Sequence, residues 1–220
     1  MQSATLLSVE IVAEDHLELT LLHPEAAAQT KAGQFIKLSV GAHDAAFLAI
    51  ASAPGAPQMR FLVQVGSPLT QDLARLQVGD SVQVSTPMGK GFDLSGLENR
   101  TPLFFATGSG ISALRSVLES RDWSGTGARL YYGARTLARM PYQAQFSAWE
   151  ARGVQVIPVL SREDGDWDGA RGHIQEVYAQ DPVDGANAAL VLCGVKGMCT
   201  AATDLLVAQG MPKTLALLNF

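Results

Sequence analysis

Hydrophobic and polar residues alternate in the first part of the chain, in short runs that glycine, proline and acidic residues interrupt. A period of two is typical of β-strands with one buried face. There are six β-rich runs, several of which carry this period: 6–14, 16–24, 33–40, 46–54, 59–66 and 80–89. A helical segment at 68–77 lies between the last two. This pattern predicts a six-stranded antiparallel β-barrel, closed or nearly closed.

The pattern changes after Pro102, where apolar strands alternate with helical segments. Five strands are predicted, at 103–108, 128–135, 154–161, 188–194 and 214–220. Four helices separate them, at 111–121, 142–153, 172–180 and 198–210. Strict alternation predicts a five-stranded parallel sheet covered on both faces. The chain therefore divides into a β-barrel domain at 1–97 and an α/β domain at 98–220.

Composition narrows the classes of function. The 220 residues are 47% hydrophobic, enough for one large core or two small ones. The net charge is −5, and the sequence contains no block of basic residues. We therefore expect no nucleic-acid partner. No apolar run is long enough to span a membrane, and the first residues do not resemble a leader, so we expect a cytoplasmic protein, or a stromal-type compartment in a photosynthetic source. The two cysteines favour a reducing compartment over a disulfide framework.

A glycine turn follows the first strand of the α/β half. Thr107, Gly108, Ser109 and Gly110 separate that strand from a helix that begins at Ile111. Glycines allow close backbone approach, and free N–H groups at a helix start attract phosphate, so the turn is a candidate diphosphate site. An ordinary strand-to-helix connection is the alternative.

Other strand ends in this half are also polar. Arg135 follows the second strand, and Ser161 and Arg162 follow the third. A hydroxyl and a guanidinium suit a ribose 2′-phosphate, so NADPH is favoured over NADH, although a surface arginine is the alternative for Arg162.

A second glycine-containing loop follows the fourth strand. It includes Cys193, Gly194 and Met198. Cys193 is placed to contact a nicotinamide, or else is a small buried apolar residue.

These motifs occur in a fixed order: ATGSGIS, YYGART, LSRE, W-x-G-x-x-G-H-I and CGVKGM. A barrel followed by this series resembles the ferredoxin–NADP reductase superfamily over nearly the whole chain, in particular a plant and algal branch that includes a fruit-protein group. The resemblance implies a first domain that holds a flavin, usually FAD, and a second that holds NADP(H). Hydride would pass between the two cofactors at the domain interface.

The flavin motif of the family is altered in this chain. Its last three positions match Ile50, Ala51 and Ser52, but Leu48 stands in place of the tyrosine that stacks on the ring, and Ala49 in place of the serine near N5. The arginine that neutralises the diphosphate is replaced by Ala46. The resemblance therefore implies that the strand from Leu48 to Ser52 holds the flavin through its backbone and apolar contacts.

Three further elements are implied by the resemblance. Gly66, Ser67 and Thr70 open a short helix that would bind the flavin diphosphate, although Thr70 is equally suited to capping that helix. Lys90 would supply positive charge. Phe220 would cover the flavin ring and move away for the nicotinamide to enter, or else would be a hydrophobic end that packs against the sheet.

These features favour an NAD(P)H-dependent flavoprotein oxidoreductase that reduces a bound flavin, FAD rather than FMN, with NADPH. The sequence does not identify the electron acceptor, for which a protein is one candidate. One alternative is a regulatory or assembly module that keeps the fold, with or without nucleotide binding, but holds little or no flavin. A further alternative is an electron-transfer subunit of a larger complex. No metal site is expected.

Overall fold

The computed structural model describes residues 1–162 and 165–218. The first sheet is antiparallel and has the strand order β4-β3-β6-β1-β2-β5. Its strands are β1 (Gln2–Ala13), β2 (His16–Leu22), β3 (Phe35–Ser39), β4 (Ala46–Ala49), β5 (Met59–Gln64) and β6 (Ser81–Val84). The helix α1 (Pro68–Leu73) connects β5 to β6. The predicted six antiparallel strands and the single helix are confirmed.

The barrel is not closed by a continuous ladder. Its edge strands β4 and β5 meet through one isolated bridge between Ile50 and Phe61, next to a hydrogen bond from the N–H of Ala51 to the carbonyl oxygen of Arg60 (2.8 Å). The prediction of a nearly closed barrel is therefore correct, and that of full closure is wrong. A turn at 53–56, in which the N–H of Ala56 donates to the carbonyl oxygen of Ala53 (3.2 Å), follows soon after Ala51 and limits further pairing.

The second sheet is parallel throughout and has the strand order β10-β9-β8-β7-β11-β12. Its strands are β7 (Thr101–Thr107), β8 (Arg129–Ala134), β9 (Gln155–Leu160), β10 (Ala170–Arg171), β11 (Ala188–Cys193) and β12 (Ala216–Leu218). The predicted number of five is wrong, because β10 adds an edge strand of two residues, too short to leave a periodic pattern in the sequence.

Helices cover both faces of the parallel sheet. They are α2 (Ile111–Leu118), α3 (Phe146–Glu150), α4 (Ile174–Tyr178) and α5 (Lys196–Ala208). None of the helices in the described residues is long and apolar enough to cross a membrane. The α/β architecture follows the predicted alternation, although α3 is shorter than the predicted helix because its first turn is a 3₁₀ turn.

Successive residues of β7 enter different cores. Phe104 packs in a cluster with Trp123 on one face of the sheet, and Phe105 packs with Tyr178 on the other. The first cluster also contains Leu62 and Phe92 from the N-terminal half of the chain. We call this cluster the shared core, because both halves of the chain contribute to it. The expected division at residues 97 and 98 remains a proposal.

Candidate functional site

A cavity of about 920 Å³ lies between the two halves of the molecule. Its walls include the carboxyl ends of β7, β8, β9 and β11, where ligands bind in open parallel sheets. Of the residues predicted from sequence to form the site, eleven line this cavity: Leu48, Ala49, Thr107, Gly108, Ser109, Gly110, Arg135, Ser161, Cys193, Gly194 and Met198. The structure thus brings most of the predicted nucleotide residues, but not Ile111 or Arg162, and two predicted flavin residues to one place.

The glycine turn forms one end of the cavity. Gly108 has a φ of +53°, in the left-handed region that glycine tolerates, and a Cβ there would meet nothing within 4 Å. Gly110 has an ordinary φ of −60°, but a Cβ there would lie 2.3 Å from the carbonyl oxygen of Cys193. The first glycine is therefore required by conformation, and the second by close packing against the loop after β11.

The side chain of Thr107 connects this turn to that loop. Its hydroxyl accepts a hydrogen bond from the N–H of Val195 (3.0 Å), and a Cβ on Gly194 would lie 2.0 Å from the same oxygen. Met198 is buried and lies one helical turn further on, also in the cavity wall. The threonine therefore holds two ligand loops together as well as lining the cavity.

The carboxyl ends of β8 and β9 contribute a cation and a hydroxyl to the cavity. Arg135 and Ser161 both line it, whereas Arg162 does not. The exposed Arg162 contributes only its backbone here, since its N–H donates to the carbonyl oxygen of Arg135 (3.0 Å).

Two residues were missed as site residues: His173, which belongs to the W-x-G-x-x-G-H-I segment, and Gln175, which follows that segment. Both line the cavity, and the Gln175 Oε1 is buried without a hydrogen-bond partner. The segment contributed to the resemblance, but its side chains had not been given a role.

The wall formed by the barrel is largely apolar. Leu48, Ala49 and Leu62 line it, together with Gln64. Phe47 stands at its edge and is 63% exposed. A wall of this kind suits the face of an aromatic ring system.

Three predicted flavin residues of the adjoining segment lie away from the cavity. The N–H of Ile50 donates to the carbonyl oxygen of Gln34 (3.0 Å), and that of Ala51 is used in the contact between β4 and β5. The carbonyl oxygen of Ser52 accepts from the side chains of Gln29 and Ser116 (both 2.9 Å). These three backbone groups are therefore already used in hydrogen bonds within the protein.

The helix α1 also lies outside the cavity lining, and its cap is self-contained. The Thr70 hydroxyl accepts from the N–H groups of Gly66 (3.0 Å) and Ser67 (2.9 Å), and the Ser67 hydroxyl accepts from the Thr70 N–H (3.3 Å). The structure thus places Thr70 in a capping box. Lys90 and the buried Ile111 do not line the cavity either.

The predicted role of Phe220 concerns a residue that lies outside the described part of the chain.

An acidic residue and a histidine in the β1–β2 hairpin were also missed. The His16 Nδ1 donates to a carboxylate oxygen of Asp15 (2.7 Å), and the Gln64 Nε2 donates to the other oxygen (2.9 Å). Burial lowers the pKa of His16, against the opposing effect of Asp15. Arg139 reaches Asp15 from the other half (3.7 Å), and all four residues line the cavity.

The helix α2 attaches the glycine turn to the barrel through two serines. The Ser112 hydroxyl donates to the carbonyl oxygen of Ala49 (3.0 Å), and one turn later the Ser116 hydroxyl donates to that of Ser52 (2.9 Å). Ser112 lines the cavity and Ser116 does not. The helix that begins at the candidate phosphate site is therefore bonded directly to the wall formed by the barrel.

A buried ion cluster reinforces this attachment. Arg115 of α2 is 2% exposed, forms a salt bridge with Glu18 of β2 and donates to Glu119 (2.7 Å). Its guanidinium also lies over the ring of Tyr142, 4.5 Å from the centroid. Burial alone would lower the pKa of Arg115, but the carboxylate of Glu18 raises it, so the side chain stays charged.

Among the described residues, no group of three or more histidine, cysteine or acidic side chains is arranged to hold a metal ion.

Comparison with known proteins identifies the family. Residues 104–204 match the model of the oxidoreductase NAD-binding domain. Ferredoxin–NADP reductase B of Sorangium cellulosum is 30% identical over 207 residues, which cover 83% of this chain and 82% of that protein. The chain belongs to the ferredoxin–NADP reductase superfamily. The resemblance inferred from the ordered motifs is thereby confirmed.

Two further comparisons concern a longer relative and a solved structure of similar fold. The fruit protein pKIWI502 of Actinidia deliciosa is 39% identical over 185 residues, which cover 76% of this chain and 57% of that protein, so the chain spans less than two thirds of it. The crystal structure of a ferredoxin NADP⁺ reductase from Neisseria gonorrhoeae with bound FAD and NADP superposes with a TM-score of 0.83 at 19% identity, covering 100% of this chain and 98% of that one. The second comparison supports the fold.

Proposed function

We propose that the protein is an NAD(P)H-dependent flavoprotein oxidoreductase that uses NADPH to reduce a flavin, with FAD preferred to FMN. One observation carries the proposal: a single cavity has the glycine turn and Arg135 at one side and the apolar wall of Leu48 and Ala49 at the other. We propose that the electron acceptor is a separate molecule, for which a partner protein is one candidate.

The nucleotide half of the cavity fits NADP(H). Gly108 leaves open space for a phosphate above the turn, and Arg135 and Ser161 offer the donors that a 2′-phosphate needs. The flavin half fits a ring on the apolar wall, whereas the diphosphate positions at Ala46, Thr70 and Lys90 lie outside the cavity lining. The chain therefore holds the flavin mainly through its ring.

The cofactors supply the hydride chemistry, so the residues of the chain need only bind, orient and exclude water. The glycine turn and the Cys193–Met198 loop hold the nicotinamide end, since Gly110 and Thr107 fix these segments against each other. The serine contacts of α2 hold that assembly against the barrel wall. This arrangement sets the distance between the donor and acceptor rings without a side-chain acid or base.

The proposal predicts a coloured protein. Purified protein, as isolated or after incubation with FAD, is expected to show visible flavin absorption that bleaches anaerobically on addition of NADPH. A protein that stays colourless after incubation with both FAD and FMN would contradict the proposal. A nucleotide-induced rise in thermal stability in that same colourless protein would support the alternative of a flavin-free module.

A second prediction concerns the choice of nucleotide. Replacing Arg135 by alanine is expected to raise the KM for NADPH about tenfold and leave that for NADH nearly unchanged, because only NADPH carries the 2′-phosphate. Arg162→Ala is the matched control, since Arg162 is a neighbouring cation outside the cavity lining. Steady-state kinetics with both nucleotides test this. A larger effect on NADPH from Arg162→Ala would place the phosphate on the other arginine.

A second candidate function is that of a flavin reductase, in which flavin is a substrate that enters and leaves. The self-contained cap of Thr70 and the neutral Ala46 favour it, because neither position offers charge to a diphosphate. Gel filtration after loading distinguishes the two functions: a bound cofactor elutes with the protein, whereas an exchanging substrate separates from it while turnover with added flavin persists.

A further inference from the structure

Ser112 occupies a special position in the cavity. It belongs to the nucleotide half, in the first turn of α2, yet its hydroxyl lies 3.0 Å from the carbonyl oxygen of Ala49 in the barrel. Ala49 stands where a serine hydroxyl near the flavin N5 would be expected from the family resemblance. The hydroxyl expected from the resemblance is therefore absent at Ala49. The hydroxyl of Ser112, from the nucleotide half, lies against the backbone of that same residue.

The direction of this hydrogen bond determines what Ser112 offers a ligand. A carbonyl oxygen only accepts, so the hydroxyl hydrogen of Ser112 points to Ala49. The lone pairs of the serine oxygen are then left to accept a hydrogen bond from the cavity. Ser112 is 3% exposed, so solvent competes little for that interaction.

We propose that the Ser112 hydroxyl contacts the flavin at N5 in place of the side chain missing from Ala49, and that it stabilises the reduced ring over the oxidised ring. This inference rests on the proposed function. Hydride transfer from NADPH adds a hydrogen to N5, and the N5–H group donates to the Ser112 oxygen. The oxidised N5 is itself an acceptor, so it makes no hydrogen bond with the Ser112 oxygen while the hydroxyl hydrogen points to Ala49. The oxidised ring is therefore stabilised less than the reduced ring.

Ser116 provides a matched control. It makes the same type of hydrogen bond to the same barrel segment, from the next turn of α2, but it is not part of the cavity lining. Loss of the Ser112 hydroxyl removes one contact between the halves, and loss of the Ser116 hydroxyl removes two, because Ser116 also accepts a longer bond from the Gln29 side chain (3.4 Å). Only loss of the Ser112 hydroxyl removes an acceptor from the cavity. Any effect of loosened attachment should therefore appear in both variants.

The experiment measures the flavin reduction potential against a reference dye in the flavin-loaded wild type, Ser112→Ala, Ser112→Thr and Ser116→Ala. In Ser112→Ala the equilibrium constant for reduction is expected to fall about tenfold, which lowers the potential by about 30 mV for a two-electron couple. Ser116→Ala is expected to change that constant less than twofold. Ser112→Thr, which keeps the hydroxyl, is expected to restore the wild-type value.

Equal potentials in Ser112→Ala and the wild type, or equal shifts in both alanine variants, would overturn the inference and leave the proposed function intact. A wild-type protein that takes up no flavin would overturn the proposed function and the inference with it. If Ser112→Ala fails to fold, Ser112→Cys gives the same readout, because a thiol is similar in size but only a weak acceptor.

Discussion

Replacing Gly110 by alanine is expected to weaken NADPH binding about a hundredfold and to lower the free energy of unfolding by about 3 kcal/mol. A Cβ at this position would lie 2.3 Å from the carbonyl oxygen of Cys193 and 2.8 Å from the nitrogen of Gly194. Both are backbone atoms, which cannot rotate away as a side chain would. The glycine turn and the loop after β11 must then separate, and the two walls of the nucleotide site lose their relative position.

Gly108→Ala is the control for Gly110→Ala, because it changes the same turn by the same methyl group. A Cβ at Gly108 meets nothing within 4 Å, so its cost is only the left-handed φ of +53°, about 1 kcal/mol. Chemical denaturation and titration with NADPH measure both effects. If the two variants lose equal stability, close packing against Cys193 is not the reason for Gly110.

Replacing Arg115 by methionine is expected to destabilise the protein by about 4 kcal/mol. The substitution leaves the carboxylate of Glu18 buried, with Arg60 at 3.8 Å as its remaining cation among the described contacts. It also removes the guanidinium from the ring of Tyr142. The loss comes from a buried carboxylate that keeps only the distant and half-exposed Arg60 as its counter-charge, rather than from the value of the ion pair itself.

A double variant separates these two causes. Arg115→Met combined with Glu18→Leu removes both charges and is expected to recover most of the lost stability in urea denaturation. Arg75→Met provides a surface comparison, since Arg75 pairs with the exposed Asp72 and should matter little. A double variant as unstable as Arg115→Met alone would mean that the packing of the arginine side chain, and not the unpaired carboxylate, is what the fold requires.

The sequence predicted the parts of the fold that depend on local pattern. Alternation in β1 to β6 and the repeated strand–helix order after Pro102 each extend over several residues, so burial repeats often enough to be recognised. The two residues of β10 are too few for burial to repeat in this way. Gly108 and Arg135 were likewise predictable, because a turn and a strand end are defined by neighbouring residues.

Residues whose place depends on distant parts of the chain were not predictable in this way. Thr70 is a different case: its partners Gly66 and Ser67 are local, so the cap was one of two expected roles, and the structure shows that the single hydroxyl is used in it. The amide of Ile50 is used in a bond to Gln34, and Arg162 lies beyond the cavity lining that includes its neighbour Ser161. His16 and Ser112 became candidates only because the cavity brings together the barrel and α2, which no local pattern records.

The shared core has a consequence for any attempt to divide this protein. Leu62 and Phe92 pack with Phe104 and Trp123, so a fragment cut at the expected junction would carry an uncovered apolar face in each piece. The α2 serines would also lose the carbonyl groups to which they donate. Neither fragment therefore retains the environment in which its ligand-binding surface is formed, and gain or loss of one half by gene fusion would require a new covering surface for the other.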